Sequence, residues 1–119
     1  MDILVVDDSS TMRRILINGI NSLGKFNIKQ AGNGEEGLEL CKKGKFDLIL
    51  TDQNMPLMTG IEMVEEIRRI DDDVYIIMIT TESDKSSVIK ALKAGINSYI
   101  IKPFTSQGLK EKISPILNI

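Results

Sequence analysis

The sequence predicts an α/β fold, in which five strands alternate with five helices and form one parallel sheet in the order 2-1-3-4-5 with helices on both faces. Three observations predict it. Short apolar, β-branched runs such as Ile3-Leu4-Val5-Val6 and Ile76-Ile77-Met78-Ile79 read as strands buried on both sides of a sheet. Between them lie stretches whose apolar residues recur at three and four positions, as on one face of a helix. The alternation is strict, without repeat, linker or low-complexity tract, and crossovers between parallel strands are right-handed.

Asp2 to Val6 is the first strand and runs into Asp7-Asp8. Ser9-Ser10-Thr11 offers a helix N-cap, and Met12, Ile15, Leu16, Gly19, Ile20 and Leu23 carry an amphipathic helix closed near Gly24. Ile28 to Ala31 is a weaker second strand. Gly32-Asn33-Gly34 makes a turn and cap for a helix marked by Leu38 and Cys41 and ended near Gly44. Phe46 to Thr51 is the third strand, with Asp52 after it. The loop Gln53 to Gly60 contains Pro56, and the next helix uses Ile61, Val64, Ile67 and Ile70. Asp71-Asp72-Asp73 reads as a solvated connection, since three adjacent side chains point different ways. Tyr75 to Ile79 is the fourth strand, ending in Thr80-Thr81-Glu82. Ser83-Asp84 caps a helix through Val88, Ala91 and Leu92 that stops at Gly95. Ser98 to Ile101 is the fifth strand, ending in Lys102-Pro103. The last helix starts around Ser106 and uses Leu109, Ile113, Ile116 and Leu117, and Pro115 inside that pattern predicts a kink or break.

At 119 residues the chain is expected to be one domain, residues 1–119, with a substantial core. A net charge of −2 makes no whole-chain case for nucleic acid or an anionic membrane. No apolar run approaches the roughly 18 residues of a spanning helix. Met1 leads directly into a strand pattern, and the single cysteine, Cys41, permits no internal disulfide, so a cytoplasmic location is expected. Cys41 falls on an apolar helix face and reads as a structural thiol. The absence of histidine removes Ser-His and Cys-His nucleophile pairs and most zinc sites. Any chemistry must therefore run on carboxylates, lysine, hydroxyls and a hard metal.

Four of the five strands end in a functional group: Asp7-Asp8, Asp52, Thr80 and Lys102. In the predicted order those strands are consecutive, roughly 4.8 Å apart, and their carboxyl ends share one edge. Three carboxylates so close repel one another, and Lys102 offsets only one charge. A divalent cation is implied. Magnesium suits the donors, with Asp8 and Asp52 bound directly, Asp7 directly or through water, and a backbone carbonyl near Asn54. No soft ligand favours zinc. A carboxylate nucleophile, a metal, a lysine and a hydroxyl together suit phosphoryl transfer. Asp52 would be the nucleophile, Lys102 would clamp one phosphoryl oxygen and Thr80 would donate to another.

The stretches Leu4-Val5-Val6-Asp7-Asp8-Ser9, Thr51-Asp52-Gln53-Asn54-Met55-Pro56 with Gly60, Ile79-Thr80, Ala94-Gly95 and Tyr99-Ile100-Ile101-Lys102-Pro103-Phe104 resemble the response-regulator receiver domains. That family has the flavodoxin-like (βα)5 fold and is itself a standard example of the 2-1-3-4-5 order. The resemblance implies that Asp52 accepts a phosphoryl group from a phosphohistidine on a sensor histidine kinase. It implies Mg2+ on Asp7, Asp8 and Asp52 with the Asn54 carbonyl, and phosphoryl contacts from Thr80 and Lys102. It further implies a cis Lys102-Pro103 bond, a Tyr99 side chain that changes rotamer as Thr80 moves, and tuning of dephosphorylation at Asn54 and Glu82. Asp8-Ser9-Ser10-Thr11-Met12-Arg13-Arg14 and Lys102-Pro103-Phe104-Thr105 are most similar to the stand-alone chemotaxis members. These imply a monomeric phosphoacceptor switch, not an enzyme, acting on a flagellar motor switch protein. The implied output face surrounds Lys85, Ser86, Ile89, Lys93 and Tyr99. The chain ends with the fifth helix, so no DNA-binding output domain is expected. Gln53 stands where an aromatic is common in well-known chemotaxis members, and Thr81, after the switching threonine, is bulkier than alanine and is expected to restrict Tyr99. An alternative within the same fold is a phosphorelay intermediate that passes the group to a histidine phosphotransfer domain. A carboxylate-nucleophile phosphohydrolase is disfavoured, because such enzymes use two aspartates with one residue between them on a single loop, whereas here Asp7 and Asp8 adjoin and Asp52 is distant.

Overall fold

A computed structural model describes residues 1–119. The strands are β1 (Asp2–Val6), β2 (Asn27–Ala31), β3 (Leu48–Thr51), β4 (Tyr75–Thr80) and β5 (Ser98–Ile101). The helices are α1 (Ser10–Asn21), α2 (Gly34–Lys43), α3 (Gly60–Ile70), α4 (Lys85–Ala94) and α5 (Ser106–Ile113). All strand pairs are parallel and the order is β2-β1-β3-β4-β5, as predicted.

Side chains alternate across each strand, so the sheet feeds two cores. Leu4, Val6, Ile49, Ile76 and Met78 face Met63, Val64 and Ile67 of α3 and Ala91 of α4. Ile3, Val5, Leu50, Ile77 and Ile79 face Leu16 and Ile20 of α1 and Leu109 and Ile113 of α5. Helices therefore cover both faces and leave the strand ends as the place where polar groups reach the surface.

Each helix starts on a residue able to bind its orphan N–H groups. Ser9, Asn33, Thr59, Asp84 and Thr105 are the N-caps, and Thr59 forms a reciprocal capping box with Glu62. The last helix breaks where Pro115 predicts it. α5 stops at Ile113, Ser114 caps it, and Leu117 still docks in the core.

Some boundaries and faces differ from the sequence reading. β3 begins at Leu48 because Phe46 enters the core ahead of the strand and Asp47 is occupied with Asp2, accepting its N–H at 2.7 Å. Ile15, Ile70 and Leu92 follow helical spacing but point outward, about half exposed. Successive helix positions turn by about 100°, so Ile15 cannot share the inward direction of Leu16, nor Leu92 that of Ala91. Cys41 packs only partly buried against the α2–α3 core.

Arg68 of α3 is an organising residue that periodicity does not reveal. Its guanidinium donates to the carbonyls of Gly95 (2.8 and 3.0 Å) and Val74 (2.7 Å), and to Asn97 Oδ1 (2.9 Å). It pins the end of α4 and the start of β5 to α3. Gly95 sits at φ +121°, and a Cβ there would approach the Arg68 side chain to 2.8 Å, so both backbone and space favour glycine.

Candidate functional site

Ladder pairing carries the polar residues to one edge. The Asp7 N–H donates to the Ala31 carbonyl at 3.1 Å, the Asp52 N–H to Val6 at 3.0 Å, and the Lys102 N–H to Thr80 at 2.8 Å. Each of these bonds extends a strand pair by one residue, so the backbone beneath each side chain is as firmly held as the sheet. The Lys102–Pro103 bond is cis, as the resemblance implies.

There the side chains meet. Lys102 Nζ lies 3.0 Å from Asp7 Oδ2 and 3.3 Å from Asp52 Oδ2, bridging two residues 45 positions apart in sequence. Asp7 is almost wholly buried and Asp52 and Lys102 nearly so, while Asp8 is exposed at the rim. One carboxylate oxygen from each of Asp7, Asp8 and Asp52 lies within 4.8 Å of the others. Asp7 also accepts the Ser9 N–H at 2.9 Å, and Asp52 the Gln53 N–H at 2.7 Å. Three carboxylates against one ammonium leave two negative charges in a small volume. The donors are all hard oxygens, with no thiolate or imidazole, and this fits an ion such as Mg2+. None of the surface hollows is lined by Asp7, Asp8 or Asp52. The cluster is a polar group of three carboxylates and one ammonium with only Asp8 at its exposed rim.

Thr80 is fully buried, and its Oγ1 accepts the Glu82 N–H at 3.4 Å, a long bond that constrains it little. Tyr99 is half-buried against the α3–α4 core, and its hydroxyl donates to the Glu82 carbonyl. Burial pushes the Tyr99 hydroxyl above its ordinary pKa, helped by the nearby Glu82, Asp84 and Asp52 carboxylates. Thr80 and Tyr99 thus both engage Glu82, one through its N–H and the other through its carbonyl. Asn54 is exposed on the loop after Asp52.

Two further residues support the cluster. The Arg13 guanidinium donates to the Asp7 carbonyl and, at 3.0 Å, to Gln30 Oε1, bracing the turn after β1 against β2. Gln53 Oε1 accepts the Ile61 N–H at 2.8 Å. In sequence, Gln53 registers only as an unusual neighbour of Asp52, and Arg13 only as part of the Asp8 to Arg14 stretch, because its partners are backbone or distant in the chain.

Comparison with known proteins agrees with this arrangement. Residues 3–114 match the response regulator receiver domain family. The chain is 49% identical over 120 residues to a chemotaxis protein CheY homolog of Campylobacter jejuni, covering 98% of this chain and 92% of that protein. It is 48% identical to chemotaxis protein CheY1 of Helicobacter pylori, covering 98% and 97%. Among solved structures, chemotaxis protein CheY4 of Vibrio cholerae superposes with a TM-score of 0.88 at 30% identity, covering 97% of each chain. A receiver domain protein of Methanospirillum hungatei gives 0.90 at 29% identity, covering 98% of this chain and 93% of that one. In sequence along almost its whole length, and in the shape of its sheet, the chain belongs to the response regulator receiver domain family.

Proposed function

We propose that this chain is a single-domain response regulator phosphorylated on Asp52 by a sensor histidine kinase of the chemotaxis type, with Mg2+ required. The observation that carries the reading is the Lys102 ammonium bridging Asp7 and Asp52 with Asp8 alongside. Asp7, Asp8 and Asp52, with the Asn54 backbone carbonyl, would hold Mg2+, which when bound supplies positive charge to the phosphoryl oxygens. The Asp52 carboxylate attacks the phosphorus of the donor phosphohistidine. A P–O bond forms, the P–N bond breaks, and the electron pair leaves on the imidazole nitrogen, which then takes a proton. Lys102 offsets charge on one phosphoryl oxygen and the Thr80 hydroxyl donates to another. Asn54 and Glu82 flank the acyl phosphate and tune the water reaction that removes it. The chain acts as a phosphoacceptor switch rather than as an enzyme turning over free substrate.

In the switch, Thr80 exchanges its long bond to the Glu82 N–H for a charge-assisted bond to the phosphoryl group. The space behind Thr80 opens for Tyr99, whose bond to the Glu82 carbonyl is then remade. This biases the β4–α4 segment between two packings and alters the α4–β5 surface. Relatives at 46–49% identity are named as chemotaxis proteins, which supports a flagellar motor switch protein as the downstream partner. No helix is long and apolar enough to cross a membrane, and the expected working location is the cytoplasm.

Intact mass after incubation with a small phosphodonor and Mg2+ tests the centre of this reading. A gain of one phosphate is expected, and Asp52→Asn abolishes it. A wild-type chain that stays unlabelled overturns the reading. Tyr99→Ala is expected to keep the label and lose partner binding. A pull-down that recovers a histidine phosphotransfer domain instead of a motor-switch protein would favour the phosphorelay role.

A further inference from the structure

We infer that Gln53 is a positioning residue for the Asp52 site, its side chain holding the loop from Gln53 to Gly60 against the end of β3 so that the carboxylate beside it keeps its orientation. For the metal and phosphoryl group this rests on the function proposed above.

The first N–H groups of a helix have no partners inside it. In α3, the Glu62 N–H is satisfied by Thr59 Oγ1 at 3.2 Å, within the usual capping box. The other two bonds go to a residue seven positions upstream of the helix. The Gly60 N–H donates to the Gln53 carbonyl at 2.9 Å and the Ile61 N–H to Gln53 Oε1 at 2.8 Å. From its other side, the Gln53 N–H donates to Asp52 Oδ1 at 2.7 Å, leaving Oδ2 to Lys102. One residue thus joins the carboxylate to the start of α3 and closes the loop that contains Asn54.

The closure is tight. A Cβ on Gly60 would come within 2.2 Å of the Asp52 carbonyl oxygen and 3.0 Å of Gln53 Cα. Helix and strand end are therefore in backbone contact, and a small shift at Ile61 is passed to Asp52 and to the Asn54 backbone. Exposed loops of this length are ordinarily mobile, and a side-chain bond across the neck is an economical restraint. Alanine or leucine at position 53 offers no acceptor to the Ile61 N–H. Glutamate has the same reach and keeps one.

Wild type, Gln53→Leu and Gln53→Glu, each as the full chain, separate positioning from simple capping. Without metal, Gln53→Leu is expected to lose about tenfold protection from hydrogen exchange at the Ile61 amide and to shift the Asp52 side-chain carboxyl carbon resonance. Its Mg2+ dissociation constant should rise about fivefold, and phosphate uptake at saturating Mg2+ should slow. Gln53→Glu should keep Ile61 protection and bind Mg2+ no more weakly than wild type. A Gln53→Leu variant with an unprotected Ile61 but an unmoved Asp52 resonance would reduce Gln53 to a helix cap and overturn the inference. An Ile61 amide as protected as in wild type would overturn it too. If wild type binds no Mg2+ and takes no phosphate while the Asp52 resonance still moves, the proposed function fails and the positioning stands.

Discussion

At the scale of single residues, Lys102 balances charges that would otherwise conflict. Its ammonium is the cation paired with the Asp7 and Asp52 carboxylates, both largely out of solvent. Removing one partner of a buried ion pair leaves an uncompensated charge, at a cost of about 3 kcal/mol. Lys102→Met is therefore expected to lose about that much stability in metal-free buffer, read by urea unfolding. Added Mg2+ should restore part of it. A variant as stable as wild type in EDTA would show that the bridge does not hold the two carboxylates. Cys41 is a contrasting case. Burial, with a lesser push from Asp71, raises its thiol to about 11, so it stays protonated at neutral pH and is poorly nucleophilic. Its reading as a structural thiol on an apolar face agrees with that environment. Asp7, Asp8, Asp52, Thr80 and Lys102 were legible because each follows an apolar run, where a polar group is conspicuous. Gln53 and Arg13 were less so, since their roles lie in bonds to Ile61, Asp7 and Gln30 that no local pattern encodes.

At the scale of elements, the starts of α3 and α4 do the positioning. Gly60→Ala puts a methyl group against the Asp52 carbonyl, which is backbone and cannot step aside. The expected loss is roughly 2 kcal/mol, with slower phosphate uptake, checked by thermal unfolding and intact mass. Wild-type values for both would mean that the close approach is not needed. At α4, the Asp84 carboxylate accepts from the Ser87 hydroxyl at 2.8 Å and the Ser87 N–H at 3.1 Å. The hydroxyl bond first, then the backbone bond, holds its pKa below the ordinary carboxylate value. A lowered folded pKa contributes stability above the unfolded value, and that contribution is lost as pH falls through the folded one. The first turn of α4 is therefore expected to lose amide protection in acid, and Asp84→Asn to flatten that dependence. Protection independent of pH in the wild-type chain would remove the cap from this account. Ser83-Asp84 was readable as a cap because polar residues stand just ahead of a helical period. The outward turn of Leu92 was not, because periodicity names a stripe and not its edges.

At the scale of the whole molecule, two cores back one sheet whose carboxyl edge collects negative charge. An ion that binds this edge in the folded chain and not in the unfolded one stabilises the fold by mass action. At 100 times its dissociation constant, Mg2+ should add about 2.7 kcal/mol, or roughly 10 °C in Tm for a domain of this size. Asp8→Asn should shrink that shift, and an unchanged Tm in millimolar Mg2+ would argue against the site. The amino-acid sequence determined the alternation of strands and helices, the buried strands and the residues that end them. It did so because hydrophobic period and turn chemistry are local. The tertiary structure alone decided that Lys102 spans Asp7 and Asp52, that Arg68 pins the end of α4 and the start of β5 to α3, and that Gln53 closes the loop beside Asp52. Those contacts depend on crossovers bringing distant segments within 3 Å or so, a distance set by packing and by no single stretch of chain.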